Sequence, residues 1–260
     1  MRWSLAGALL FILIAAGCSG GGLALDPVAS AADRTLDKQT GRFEMAVNVD
    51  IPQFGRTTIR GGGTFSNPDQ AMQMTMDVPG IGTPTSSMEL RMLYPMVYMH
   101  VPTFPLPNGK SWIKVDLRRA LQKVGMNLPQ PGGTQSPTDA LGQLRGSKNA
   151  KKLGTDTIDG VRATHYRVKV DLDEALARAT PQQRKVLQQL ASTARRHGID
   201  FVPKHVDVWV GDDGLVRRFN ENFGRVGRVT MTFSDYGTPV EIEPPPPDET
   251  VDTFGLLKTG

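Results

Sequence analysis

The chain has little of what catalysis, metal binding and cross-linking most often need. Its 260 residues include one cysteine, Cys18, and four histidines, which are His100, His165, His197 and His205. A single cysteine excludes an intramolecular disulfide, and histidines so far apart in the sequence lack the paired spacing of a metal site. We therefore expect no metal, no cofactor and no catalytic residues, and we predict that the protein is not an enzyme.

The chain also lacks a hydrophobic run long enough to cross a bilayer. The run from Leu5 to Ala16 has about a dozen residues, whereas a spanning helix needs ~20. It follows the positively charged Arg2 and ends in small residues directly before Cys18, which is the order of elements in a signal peptide. Residues 1–17 are thus predicted to be a signal peptide, and the mature protein to be exported.

A cysteine directly after Ala-Ala-Gly resembles the lipobox of bacterial lipoproteins. In that interpretation the Cys18 thiol carries a diacylglyceryl group, with or without an added N-acyl chain, and cleavage makes Cys18 the first mature residue. Residues 18–25 then form a short tether that holds the protein at the extracytoplasmic face of the cell membrane. An ordinary secretory signal with an incidental cysteine is the alternative.

The remaining composition is that of a soluble globular protein, with 22% charged and 39% hydrophobic residues. Residues 26–243 are long enough for a single domain with one core, and we expect a monomer. The net charge is only +4, and no nucleic-acid-binding motif is recognised, so nucleic acid is not an expected partner. Four basic residues in two pairs are candidates for contact with lipid headgroups or the membrane surface: Arg184, Lys185, Arg195 and Arg196.

Most of the chain alternates between apolar and polar residues with a period of two, which predicts strands. A helix is predicted over residues 26–39, where Asp26 can cap the first turn and Pro27 suits it. Short hairpin connections such as Asp159-Gly160 favour antiparallel pairing and an α+β fold with about eleven strands. Gly61-Gly62-Gly63 predicts a bend or a bulge in a curved sheet. Residues 244–260 are expected to form a Pro-rich tail after the domain. Further helices are predicted over 116–124, 138–144, 171–179 and 182–197.

Methionine is unusually frequent on the predicted apolar faces of the strands. Its flexible, polarizable side chain adapts to varied apolar contents, whereas most sheets present valine, isoleucine and aromatic residues. A cluster of methionines can equally fill an ordinary core. The residues predicted to line a lipid cavity are Met45, Val47, Val49, Met72, Met74, Met76, Met88, Leu90, Met92, Val206, Val208, Val229, Met231 and Phe233.

Several segments resemble the actinobacterial LppX/LprAFG lipoproteins, which share a LolA/LolB-like architecture. The likeness rests on the order and spacing of short motifs over nearly the whole mature chain. They are residues 26–40 with Gly41-Arg42-Phe43, then Gly63-Thr64-Phe65-Ser66-Asn67-Pro68, Ser111-Trp112-Ile113, Asp156-Thr157-Ile158-Asp159-Gly160-Val161, Val208-Trp209-Val210 with Asp213-Gly214-Leu215-Val216, and Phe233-Ser234-Asp235-Tyr236-Gly237. The resemblance implies a half-barrel, in which a strongly curved antiparallel sheet wraps over helices and encloses an apolar cavity for acyl chains.

The function expected from these features is that of a membrane-anchored lipoprotein that binds a lipid or lipoglycan and carries or presents it across the cell envelope. A membrane transporter is a candidate partner. The alternative is an interaction module of the cell envelope that has a closed core and no lipid cargo.

Overall fold

The computed structural model describes residues 26–51, 55–78, 86–103, 105–123, 150–169, 205–224 and 227–252, with the single positions 141, 144, 147, 184, 192 and 203. These residues form one curved, open sheet of twelve strands with few helices. The predicted signal peptide and tether lie outside the described residues, and so does most of the predicted helical region between residues 170 and 202.

Consecutive strands pair with each other over most of the sheet, and the order across it is β12-β6-β5-β4-β3-β2-β1-β11-β10-β9-β8-β7. The helices are α1 (Pro27–Leu36) and α2 (Leu117–Lys123). The strands are β1 (Thr40–Ile51), β2 (Gly55–Ser66), β3 (Ala71–Val78), β4 (Ser86–Leu93), β5 (Met96–His100), β6 (Trp112–Asp116), β7 (Lys151–Ile158), β8 (Val161–Lys169), β9 (His205–Gly211), β10 (Val216–Asn222), β11 (Gly227–Ser234) and β12 (Thr250–Asp252).

The expectation of about eleven antiparallel strands is confirmed for β1 to β11, and the sheet has one further strand that was not predicted. β12 lies in the predicted Pro-rich tail and pairs with β6 in parallel. The segment before it crosses the sheet from β11. Two hydrogen bonds to its backbone oxygens fix this segment: Thr40 Oγ1 donates to Thr238 O (2.6 Å), and Arg91 donates to Glu243 O (3.1 Å). β12 was missed because three residues are too few to show an alternating pattern.

Helix α1 packs against the sheet at β9 and β10. Asp26 caps it as predicted, accepting a hydrogen bond from the Val28 amide (3.0 Å), and it also accepts one from the Ala150 amide (2.7 Å). At the other end, buried Thr35 donates to Ala31 O (2.7 Å) and accepts from the Val216 amide (2.9 Å). One side chain thus ties the last turn of α1 to β10. A sheet wrapped over several helices, as the resemblance implies, is not seen in the described part of the chain.

The three consecutive glycines lie in the middle of β2. Every residue of this stretch pairs one to one with β1 and β3, so the predicted bulge is wrong. The glycines permit a close approach instead: a Cβ on Gly63 would lie 1.9 Å from Gln73 O, and one on Gly61 would lie 2.6 Å from Thr75 O. A bend of β2 at these glycines stays a prediction.

Candidate functional site

One face of the sheet carries most of the methionines, and we call it the methionine face. One row of directly paired residues crosses five neighbouring strands. Its members, from β11 through β1, β2 and β3 to β4, are Met231, Met45, Gly61, Met76 and Met88. Since directly paired residues point to the same side of a sheet, the whole row shares one face. The methionines on this face are Met45, Met72, Met74, Met76, Met88, Met92, Met99 and Met231.

The register places the predicted cavity residues on this same face. Val47 of β1 pairs with Val229 of β11, and the predicted residue Phe233 lies on the same side of β11. The β3 and β4 members face each other across the next pair of strands, and Val206 and Val208 continue the face onto β9. The alternation in the sequence therefore predicted the side of each strand, although whether a lipid lies there stays a prediction.

The methionine face has a packed part and a more open part. Under α1, the side chains of Phe43, Val208 and Val216 are at most 1% exposed and belong to one core cluster with the helix. Met76, Met88 and Leu90, on β3 and β4, are only partly buried. The more open part is the region where an apolar ligand would find surface to cover.

Several residues of the methionine face are absent from the predicted cavity residues, among them Met99, Phe219 and Glu221. Met99 of β5 pairs with Leu90, and Phe219 of β10 pairs with Met231. Glu221 lies two residues further along β10 and pairs with Val229. The register shift between Val216 and Arg218 explains the error on β10, because the extra residue moves Phe219 and Glu221 to the side of Val216.

Glu221 is the one acidic residue among the buried residues that the structure describes. Its side chain is 8% exposed. Burial raises the pKa of Glu221 from 4.5 to about 7, because the apolar surroundings disfavour the ionised carboxylate. No sequence signal marked it, since a glutamate between two asparagines is typical of a solvated strand.

The opposite face holds a polar cluster on β7 to β10. The rings of His165 and Trp209 stack with centroids 4.1 Å apart, and Trp209 Nε1 donates a hydrogen bond to Asp156 Oδ2 (2.6 Å). Arg167 donates two hydrogen bonds to Asp207, of 2.7 and 3.1 Å. The side chain of His165 is only 18% exposed in this stacked position.

Two opposing effects act on the carboxyl group of Asp207 in this cluster. Partial burial raises its pKa, and the hydrogen bonds and positive charge of Arg167, with His165 in support, lower it by more. Asp207 is therefore held ionised and paired. Because its oxygens are engaged by Arg167, the cluster is best explained as a brace between β8 and β9.

Two shallow depressions flank α1. One, of about 380 Å³, is lined by Arg34, Asp37, Lys38, Asp213 and Leu215. The other, of about 240 Å³, lies between α1 and β9. Neither is lined by a residue that was predicted to line a lipid cavity.

The remaining predicted sites fall mostly outside the described residues. This is so for Cys18, Lys185, Arg195 and Arg196, whereas Arg184 is helical and exposed. Among the residues that the structure describes, no group of three or more histidine, cysteine or carboxylate side chains could hold a metal ion. In the same part of the chain, no helix has the length and apolar character needed to cross a membrane.

Comparison with known proteins gives the following likenesses. No family model matches the chain. A putative lipoprotein of Streptomyces coelicolor is 27% identical over 155 residues, which are 57% of this chain and 45% of that protein. The chain spans about half the length of the curated relatives it matches.

Among solved structures, the chain is similar to LprF from Mycobacterium bovis, with 16% identity, a TM-score of 0.49, and coverage of 84% of this chain and 95% of LprF. It is also similar to the lipoprotein LppX from Mycobacterium tuberculosis, with 16% identity, a TM-score of 0.45, and coverage of 84% of this chain and all of LppX.

Proposed function

We propose that the protein is a lipid-anchored, extracytoplasmic lipoprotein that binds the acyl chains of a lipid or lipoglycan against the methionine face. It would carry or present that lipid at the membrane, without catalysis and without a resident cofactor. The observation that carries the proposal is the apolar row that runs across β11, β1, β3 and β4, with Gly61 of β2 in its middle.

Hydrophobic burial supplies the affinity in this proposal. Each methylene group that leaves water contributes about 0.8 kcal/mol, so a chain of about sixteen carbons gains on the order of 10 kcal/mol before ordering costs. Methionine side chains suit such a ligand because their rotamers adapt to chains of different length and branching. The row is also gapped at Gly61, where no side chain projects from β2.

The anchoring part of the proposal rests on Cys18. A diacylglyceryl group on its thiol would hold the domain within a few residues of the membrane, since α1 begins at Pro27. The name of the Streptomyces coelicolor relative, a putative lipoprotein, agrees with this assignment. Arg184, with its neighbouring basic residues, would face lipid headgroups, and a membrane transporter would supply or accept the cargo.

The first test is to purify residues 19–260, which keep every described residue, from an actinobacterial host and to extract the protein with organic solvent. Mass spectrometry of the extract is expected to show a diacyl or triacyl lipid in near-stoichiometric amount. An extract without lipid, followed by no uptake of a fluorescent fatty acid, would contradict the proposal.

The second test places a bulky side chain on the more open part of the methionine face. Met76→Trp is expected to reduce fatty-acid uptake at least tenfold, because the indole fills space that an acyl chain would occupy. Thr75→Trp is the matched control, since Thr75 is exposed on the opposite face of the same strand. Equal uptake by both variants, with unchanged circular dichroism, would place the ligand elsewhere.

The core cluster under α1 favours a second candidate function, that of an envelope interaction module with a closed core. Phe43, Phe233 and Val208 pack there with α1, and their side chains are at most 1% exposed. If the whole face is filled in this way, neither test will detect a lipid, and the protein would act through contacts with other proteins.

A further inference from the structure

Glu221 is surrounded by apolar side chains on the methionine face. Its partners across the strands are Val206 on β9 and Val229 on β11. Its neighbours on the same face of its own strand are Phe219 and Phe223, two residues away on either side. A carboxyl group is thus placed where each adjacent position on the face is apolar.

The carboxyl group has no partner in the described part of the chain, where no hydrogen bond or ion pair involves its side chain. The carboxyl oxygens are not among the fully enclosed side-chain atoms that lack a hydrogen bond, so they can still be reached from outside the protein. Their hydrogen-bonding capacity is therefore open to a water molecule or to a polar atom that arrives with a ligand.

We propose that Glu221 is the polar anchor of the methionine face, and that its carboxyl group hydrogen-bonds an uncharged oxygen, a hydroxyl or an ester carbonyl, of the bound amphiphile. This inference rests on the proposed function, because it names the chemistry of the ligand that the same face would take. It adds one residue that would distinguish amphiphiles from plain hydrocarbons.

An uncharged oxygen fits this environment better than a charged group. The neutral carboxyl group, which burial favours, can donate one hydrogen bond and accept others. A cationic ligand would require two desolvated charges among valines and phenylalanines, and an anionic one would be repelled by the ionised form. The ligand group expected here is therefore polar and neutral.

The position along the sheet suits an anchor. Glu221 is five residues beyond Val216, which lies beneath α1. Because these five residues of β10 pair with only four of β9, they span about 13 Å along the sheet. The exposed fraction of the residue is 7–8% for Val47, Val229 and Glu221, and it is zero for Val216. From β10 to β3 there are four strand spacings, about 19 Å, which a long acyl chain can cover on its way to Met76.

The experiment uses residues 19–260 and three pyrene-labelled probes of equal chain length: a long-chain alcohol, its acetate ester, and the alkane without the oxygen. Fluorescence titration of the wild-type protein is expected to show tighter binding of the alcohol than of the alkane by about tenfold, or about 1.4 kcal/mol. Comparing the affinity of the alcohol with that of the acetate ester shows whether the carboxyl group binds a hydroxyl or an ester carbonyl.

The variants isolate the carboxyl group. Glu221→Met is expected to remove the preference for the oxygen-bearing probes and to keep the binding of the alkane. Glu221→Gln should keep a preference, because its amide still donates a hydrogen bond. Glu44→Met is the matched control, since Glu44 is exposed on the opposite face of β1.

Two results would overturn the inference in different ways. If the preference is absent from the wild type, or is unchanged in Glu221→Met while the alkane still binds, Glu221 is not the anchor but lipid binding stands. If the wild-type protein binds none of the three probes, the proposed function fails, and the anchor fails with it.

Discussion

The buried carboxyl group of Glu221 predicts a specific dependence of stability on pH. Its pKa is about 7 in the folded protein, against an ordinary value of 4.5. The folded state therefore binds this proton more tightly than the unfolded state does. The stability contributed by the neutral group is fully present below pH 4.5, falls as the pH rises from 4.5 to about 7, and stays low above that.

The size of the effect follows from the two pKa values. Each tenfold difference in proton affinity corresponds to about 1.36 kcal/mol, so the loss between pH 4 and pH 8 is about 3 kcal/mol. Glu221→Gln cannot ionise and avoids this loss. Relative to the wild type, the variant is expected to gain about 3 kcal/mol more at pH 8 than at pH 4. In a domain of this size that corresponds to a rise in Tm of about 6–12 °C.

The assay is urea unfolding followed by tryptophan fluorescence at both pH values. The difference between the two pH values cancels any constant effect of the amide, and Glu44→Gln controls for replacing a strand glutamate. If Glu221→Gln changes the free energy of unfolding by the same amount at pH 4 and at pH 8, then Glu221 does not ionise from a buried site, and the placement of its side chain is wrong.

Two further predictions concern the frame of the sheet. Gly63→Ala is expected to lower the free energy of unfolding by more than ~3 kcal/mol or to prevent folding, because the added Cβ would meet Gln73 O. Gly154→Ala on the edge strand β7 is the control: its Cβ would meet nothing, so the free energy of unfolding should change by less than ~1 kcal/mol. Similar losses for both variants in urea unfolding would argue against the close approach at Gly63. Thr35→Val should lower the free energy of unfolding by about 1–3 kcal/mol, because the Val216 amide loses its hydrogen-bond acceptor. Thr35→Ser keeps the hydroxyl and should lower it much less. Equal losses for the two variants in the same assay would show that this hydrogen bond does not stabilise the protein.

The strands and their faces were predictable because each is decided locally. Alternation in β1, β3 and β4 fixes which residues share a side, whatever the partner strands are. The turn at Asp159-Gly160 was equally local: both residues have positive φ, 48° and 80°, as a two-residue hairpin turn requires. The cap of α1 at Asp26 belongs to the same class.

The errors arose where long-range contacts decide the outcome. β12 is a strand because residues 238–249 bring Thr250 beside Trp112, and three residues carry no pattern of their own. On β10, the irregular pairing with β9 turns Glu221 inward, against the polar character of its neighbours. Pairing with a distant strand is not encoded in the local sequence, so neither result could be inferred from periodicity.

The sequence by itself determined the period of two, the turns, and the side of each strand on which the methionines lie, because backbone geometry sets these within a few residues. Only the tertiary structure decided that those sides join into one face, that α1 fills one part of it, and that Glu221 lies within it. Such contacts bring together residues far apart in the chain, and their energies come from burial, which depends on what covers each side chain.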